Sequence, residues 1–241
     1  MRCLIYDTET TSLDTTNGYI QELAWAVYDV SSWRCLLAKS YLLDWPTAYQ
    51  VDPMALATTG LTREFCSLNG SKPFKVFNEF LQDLGSGVDY LCGHNALSFD
   101  YPMLKTNIKR VAFDEFDAAQ LHIDTMLDCP YPSTQKIMSL KYLALDHGYI
   151  LSDAHQALAD VFACKAILAK YKFSEVLEIA KTPVVTLSAK VDWADSNGKE
   201  RIKNARFYWN PTLKVWEKRI REYHLPGVQM SLGDSISLSR V

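Results

Sequence analysis

"LIYDTETTSLD", from Leu4 to Asp14, decides how the rest of the chain is read. A short apolar run, Leu4 to Tyr6, reads as a strand and leads straight into two acids one residue apart, Asp7 and Glu9. Neighbouring carboxylates repel, and a carboxylate in apolar surroundings neutralises unless something positive holds it. Either the strand has ended and both acids sit in water, or a metal ion lies between them.

Beyond this segment, Ile20 to Val30 and Cys35 to Leu43 read as second and third strands, spaced for an antiparallel meander. "ATTGLT", Ala57 to Thr62, reads as a turn marked by Gly60. Phe74, Phe77, Phe80, Leu81 and Leu84 recur at helical spacing, and Gly85 and Gly87 stop that helix. A fourth apolar run, Tyr90 to Cys92, ends in Gly93-His94-Asn95 and precedes a helix from Ser98 to Lys109. Ile123 to Thr125 reads as a fifth strand, Ser139 to Leu145 as a helix, and Asp153 to Tyr171 as the last helix of the body. Three early strands followed by alternating helices and strands make an α/β layer architecture with a mixed sheet.

Thr182-Pro183 divides a body, residues 1–182, from an appendage, residues 183–241. There Val184 to Val191, Arg206 to Trp209 and Lys214 to Ile220 read as short strands joined by turns at "DSNGKE" and "NPT". The expectation is a small β-rich unit, of a size that usually needs outside support for its core.

Composition bounds the class. Apolar residues make up 48% and charged residues 22% of the 241, the balance of a globular protein with a real core. No apolar run approaches the roughly 20 residues of a membrane span, and because Met1-Arg2 leads directly into the first strand no secretory leader is expected. The six cysteines are scattered without a CxxC pair, so buried free thiols and a cytoplasmic location are expected. The net charge of −3 is unevenly spread. From Pro183 onward ten Lys/Arg face six Asp/Glu, +4, which leaves fifteen against twenty-two, −7, in the body. An acidic body suits metal binding, and a basic tail suits phosphate.

Four acids stand at significant places: Asp7 and Glu9 on the first strand, Asp100 in "GHNALSFD" beyond the fourth, and Asp160 in "HQALAD" within the last helix. Oxygen ligands of this kind suit Mg²⁺ or Mn²⁺ rather than zinc. Two such ions, roughly 3.5–4 Å apart, activate a water and stabilise a leaving oxygen in phosphodiester hydrolysis. His155, five residues before Asp160, is placed to act as general base. Singly, each has a plainer role: a helical aspartate is usually solvated, and a histidine here would cap or pack. Their order carries the inference: D-x-E, then H-N-x-x-x-F-D, then H-x-x-x-x-D.

That set resembles the DEDDh, or DnaQ-like, 3′–5′ exonucleases, a family that includes the proofreading epsilon subunit of bacterial DNA polymerase III and exonuclease X. The resemblance covers about Met1 to Tyr171. "TTGLT" is similar to the family's "hGIT" segment, "IDT" at Ile123 to Thr125 to its fifth-strand signature, and "SLKYLA" to the helix before the final motif. Two departures are small: one extra residue between Asn95 and Phe99, and Val161 where a smaller residue often follows the last aspartate. The resemblance implies an RNase H-like mixed five-stranded sheet flanked by helices. It implies Asp7, Glu9, Asp100 and Asp160 as ligands of two Mg²⁺ or Mn²⁺ ions, with His155 as a mobile base. It also implies that Thr10 and Leu13 meet the terminal nucleotide with Leu61 and Phe99 nearby, and that His94 and Asn95 contact the chain or shape their loop. The activity implied is release of nucleoside monophosphates from the 3′ end of DNA, in repair or proofreading. RNA 3′-end trimming and an accessory subunit docking on a polymerase or repair complex are the alternatives.

The appendage interleaves Lys199, Arg201, Lys203, Arg206, Lys214, Lys218, Arg219 and Arg221 with Phe207, Tyr208, Trp209 and Trp216. Cations and rings together are what single-strand binding uses. The same residues would equally serve as the core and solvated face of a small domain, or as a docking surface for a partner.

Overall fold

The computed structural model describes residues 1–111, 116–132, 135–151, 156–192, 194–233 and 236–240. The chain divides into two compact units, Met1–Cys129 with Met138–Phe173, and Pro130–Ile137 with Ser174–Val241.

In the first unit, strand β1 (Arg2–Thr10) runs straight through the acidic motif instead of ending at Tyr6. It can do so because its ladder to β2 (Ile20–Asp29) continues through Asp7↔Ala24, Thr8↔Leu23 and Glu9↔Glu22. β3 (Arg34–Leu42) completes the expected antiparallel meander. Three helices follow: α1 (Pro53–Thr59), α2 (Arg63–Asn69) and α3 (Pro73–Gly85). "ATTGLT" is therefore more than a turn. Ala57 to Thr59 finish α1, and Gly60, at φ +69°, donates its N–H to Leu56 O in the left-handed cap that glycine adopts without steric cost. Thr62 then starts α2 by accepting the N–H of Phe65.

β4 (Tyr90–Gly93) lies parallel to β1 and is followed by α4 (Asp100–Arg110), then by β5 (Leu121–Asp124), parallel to β4. The result is a mixed five-stranded sheet in the order β3-β2-β1-β4-β5. α5 (Thr125–Asp128), α6 (Leu140–Asp146) and α7 (Ala157–Leu168) complete the unit. The expected last helix is described from Ala157 onward; Asp153 and His155 lie outside the described residues.

Alternation along β1 sorts its side chains between two faces. Leu4 and Tyr6 join a core with Phe77 and Phe80 of α3 and Met103, Leu104 and Ile108 of α4. Full burial of Phe77 and Phe80 contributes roughly 1.5–3 kcal/mol each. Trp25 in that core keeps its indole N–H satisfied by donating to Asp83 at 2.9 Å. Cys3, Ile5, Asp7 and Glu9 take the opposite face, where α7 packs on β1 and β2. Ala24 and Ala26, the register partners of Asp7 and Ile5, are small enough to let that helix approach closely.

The second unit contains most of α8 (Phe173–Ala180), β6 (Val184–Lys190), α9 (Ser196–Asn204), β7 (Tyr208–Asn210) and β8 (Val215–Arg221). A single 3₁₀ turn, Glu222–His224, leads to α10 (Leu225–Leu232) and β9 (Ser237–Arg240). Its four strands are all antiparallel in the order β7-β8-β6-β9, a β-α-β-β-α-β arrangement. Three of the four strands fall close to where they were expected; β9 and the helices were not expected. "DSNGKE" is not a turn but the start of α9, because the Asp195 carboxylate accepts the Gly198 N–H at 2.8 Å and caps a helix there.

Ile202 of α9 and Val228 and Leu232 of α10 pack on Leu187, Ala189 and Ile220 of the sheet. Phe207 is buried in the same core, Trp216 packs against it, and Trp209 meets Trp216 edge-on at 5.6 Å. Lys218 lies over the Phe207 ring and donates to Ala205 O at 2.6 Å, and burial pushes its pKa down to about 8. Three members of the aromatic and basic pattern thus hold the unit together. Among the described residues no helix is long and apolar enough to cross a membrane. All six cysteines are free thiols, five of them buried and Cys35 exposed.

Candidate active site

Residues two apart on a strand share a face, so β1 presents Asp7 and Glu9 together. Asp160, in the first turn of α7, comes down on them from above the sheet. One carboxylate oxygen from each of the three lies within 4.8 Å of the other two. Asp100 lines the same cleft, of about 270 Å³, from the first position of α4. It is held by Thr8, the residue between the two strand acids, whose hydroxyl donates at 2.6 Å and whose N–H donates at 3.2 Å, both to Oδ1. The four predicted acids therefore come from three elements far apart in sequence and meet in one place.

Their electrostatics are those of a site waiting for positive charge. Burial, followed by the charges of Asp100, Asp160, Glu9 and Glu22, holds the Asp7 carboxyl well above its ordinary range. Burial pushes Glu9 up to about 8, and Asp160, Glu22 and Asp100 push the same way. Burial also lifts Asp100 to about 7 against the lowering effect of its bonds from Thr8. Close carboxylates in a low-dielectric cleft share protons when no cation compensates them. Hard carboxylate oxygens without thiol or imidazole among the three converging ligands fit Mg²⁺ or Mn²⁺.

The sequence profile of the RNase T family of exonucleases matches residues 4–168, a stretch that contains all five predicted catalytic positions. The chain belongs to this exonuclease family. Among solved structures it is similar in fold to E. coli exonuclease I in complex with a dA16 oligonucleotide, with a TM-score of 0.65 at 13% identity over 100% of this chain and 64% of that one. The zinc-bound E. coli exonuclease I complex with single-stranded DNA gives 0.65 at 14%, over 99% and 63%. A further exonuclease I structure gives 0.64 at 15%, over 99% and 62%. The chain thus spans less than two thirds of the length of these proteins, and at such identities the likeness is one of fold. No curated protein sequence matches it significantly.

The other expected positions of this exonuclease-family chain divide between the cleft and its surroundings. His94, Asn95 and Phe99 line the cleft with the acids. Both ring nitrogens of His94 are engaged internally: Nε2 donates to Met138 O at 2.8 Å and Nδ1 lies 2.9 Å from the Thr125 hydroxyl. Burial pushes its pKa down to about 4, which keeps the ring neutral. Thr10 is buried and its hydroxyl donates to Ser12 O at 2.9 Å, whereas Leu13 is 86% exposed. Leu61 is half-buried and lines a separate groove with Glu22, its carbonyl accepting from Gln21 Nε2 at 3.0 Å. His155 lies outside the described residues.

Three contributors escaped the sequence reading. Thr8 looked like a spacer, yet D-x-E puts its hydroxyl on the face from which Asp100 arrives. Asp124, fully buried in "IDT", accepts N–H groups from Asn95 at 2.8 Å, Leu97 at 3.2 Å and Met126 at 3.0 Å. It fixes the loop that carries His94 and Asn95, the latter held at φ +56°, and burial beside Asp128 pushes its own pKa up to about 6. Glu22 is the third. Its only signal was an acid inside a mostly apolar strand.

Proposed function

We propose that this chain is a metal-dependent 3′–5′ exonuclease that releases nucleoside monophosphates from the 3′ end of DNA. The observation that carries the reading is the meeting of Asp7, Glu9 and Asp160 within 4.8 Å, in the cleft that Asp100 also lines. In this reading Asp7, Glu9, Asp100 and Asp160 hold Mg²⁺ or Mn²⁺, and a pair of such ions supplies an activated water and stabilises the leaving oxygen. Thr8 keeps one Asp100 oxygen committed, so that carboxylate enters the site in a single orientation. His155 takes the proton of the attacking water. Thr10, Leu13, Leu61 and Phe99 receive the terminal nucleotide, with His94 and Asn95 shaping the wall beside it. Residues 1–182 carry the chemistry, and residues 183–241 a separate role outside it.

The preference for DNA over RNA is supported by the fold likeness to exonuclease I, which is seen with a dA16 oligonucleotide. The test is a 5′-labelled single strand, as DNA and as RNA of one sequence, incubated with the purified protein and Mg²⁺. A ladder shortening from the 3′ end, faster on DNA, is expected. Asp7→Ala and Asp160→Ala should abolish it while far-ultraviolet circular dichroism stays unchanged. Wild-type rates from Asp7→Ala, or immediate release of the labelled end, would overturn the assignment, and faster loss of RNA would move the substrate to RNA.

A further inference from the structure

We propose that Glu22 is a positioning residue for the reaction: a clamp on the N-terminus of α7 that sets Asp160 against Glu9. This rests on the exonuclease reading above. Glu22 is half-buried in β2, opposite Glu9 on the face where α7 packs, and a carboxylate there is costly unless its oxygens are used. Both are used. Oε1 accepts the Ser40 hydroxyl at 2.6 Å, from the neighbouring strand β3. Oε2 accepts the backbone N–H of Ala157 at 3.3 Å, across 135 residues of sequence.

Ala157 is the first residue of α7, and the helix has need of that acceptor. The opening N–H groups of a helix have no partner within it, and here the residue before Ala157, Gln156, makes no side-chain cap. Glu22 supplies from the sheet the acceptor that the Gln156 side chain does not. The positive end of the helix dipole favours its charge there. Asp160 follows Ala157 by three residues, on the same side of the helix one turn along. Glu22 is also the direct register partner of Glu9. One side chain therefore bridges the helix that brings Asp160 and the rung of the sheet that brings Glu9.

The arrangement has a cost that a purely structural residue would avoid. Like charges directly opposite on paired strands destabilise one another. Glu22 adds to the negative charge acting on both Asp7 and Glu9. Yet it is not among the three acids whose oxygens converge, and both of its own oxygens are committed to Ser40 and Ala157. What it contributes is the placement of the helix.

Two substitutions separate the roles. Glu22→Gln keeps a carbonyl oxygen for the Ala157 N–H and an amide that can donate to the Ser40 oxygen, whereas Glu22→Ala removes both hydrogen bonds. In Glu22→Ala, amide hydrogen exchange over residues 157–160 should accelerate about tenfold, in line with loss of one hydrogen bond. Its kcat should fall by about tenfold or more with KM for a single-stranded oligonucleotide unchanged, because a misplaced ligand costs rate rather than affinity. Glu22→Gln should stay within about twofold of wild type in both readouts, rescued by its shape. If Glu22→Ala does not fold, Ser40→Ala, which frees Oε1 alone, should show the same changes at about two- to threefold. Equal inactivity of Glu22→Gln and Glu22→Ala, with Mn²⁺ affinity lost in both, would make Glu22 a ligand and overturn the clamp. So would unchanged exchange and kcat in Glu22→Ala. A wild type that hydrolyses no nucleic acid, but whose exchange responds as described, would overturn the exonuclease reading and leave the clamp standing.

Discussion

The buried acids should make the metal-free protein lose stability as pH rises, and the decisive window can be worked out residue by residue. Glu9 titrates near 4.5 in an unfolded chain and near 8 in the fold. Between those values the folded state holds a proton that the unfolded state has released. Stability from this group is therefore full below about 4.5 and is lost progressively up to about 8. Asp7 and Asp100 act in the same direction, Asp100 up to about 7. His94 acts in the opposite direction, since its folded pKa is lowered from 6.5 to about 4, but its contribution ends above 6.5. Asp124 is finished at about 6, and the lowered pKa of Lys218 matters only above about 8. Of these groups, only the acids of the cleft still act between pH 6.5 and 8. At about 1.4 kcal/mol per proton per pH unit, Glu9 by itself costs about 2 kcal/mol over that interval. For a chain of this length that lowers Tm by roughly 4–8 °C. Differential scanning fluorimetry in a chelator should show the fall. Saturating Mn²⁺ should flatten it and raise Tm, because bound cations favour the ionised carboxylates that the apo fold disfavours. Glu9→Gln should flatten it without metal. A chelated wild type whose Tm is level or rising from pH 6.5 to 8 would refute the electrostatic account of the cleft.

His155→Ala should lower turnover by a factor on the order of 10²–10⁴ while Mn²⁺ binding by calorimetry is largely retained; lost affinity with normal turnover at saturating Mn²⁺ would mean that the histidine is structural. Thr8→Val keeps shape and removes the hydroxyl from Asp100, so stability should drop by about 1.5–3 kcal/mol in denaturant titration, with a lower kcat. Truncation after Thr182 tests the appendage. If its cations hold a single strand, fluorescence anisotropy in Ca²⁺ should show weaker binding and a flatter log–log salt dependence, by about 0.7 for each phosphate no longer neutralised. An unchanged salt slope would exclude that role, and the packing of Phe207, Trp216 and Lys218 in the unit's own core already removes three of the residues that suggested it.

Much of the candidate site was legible without coordinates, for a local reason. D-x-E on a strand is a statement about period, since alternate residues share a face wherever the strand goes. The apolar spacing of Phe77, Phe80 and Leu84 likewise specifies a helix face before anything packs on it. Motif order then named Asp100 and Asp160, although no local pattern in the chain says that they meet Asp7 and Glu9. That meeting is tertiary. It depends on β4 pairing parallel beside β1, on Ala24 and Ala26 admitting α7, and on Thr8 receiving Asp100 across 92 residues. Where the reading failed, the missing information was also nonlocal. "DSNGKE" has the composition of a turn, and it becomes a helix because Ile202 finds an apolar face on β6 and β8 once Asp195 has capped it. Glu22 carries no local signal of its role, which becomes visible only where the Ala157 N–H meets it across 135 residues. The sequence by itself determined which side chains could share a face and which chemistry they carry, because period and donor type are properties of the local chain. Only the tertiary structure decided which faces meet, because a hydrogen bond or a ligand cluster needs atoms within a few ångströms, and only packing brings residues so far apart in sequence that close.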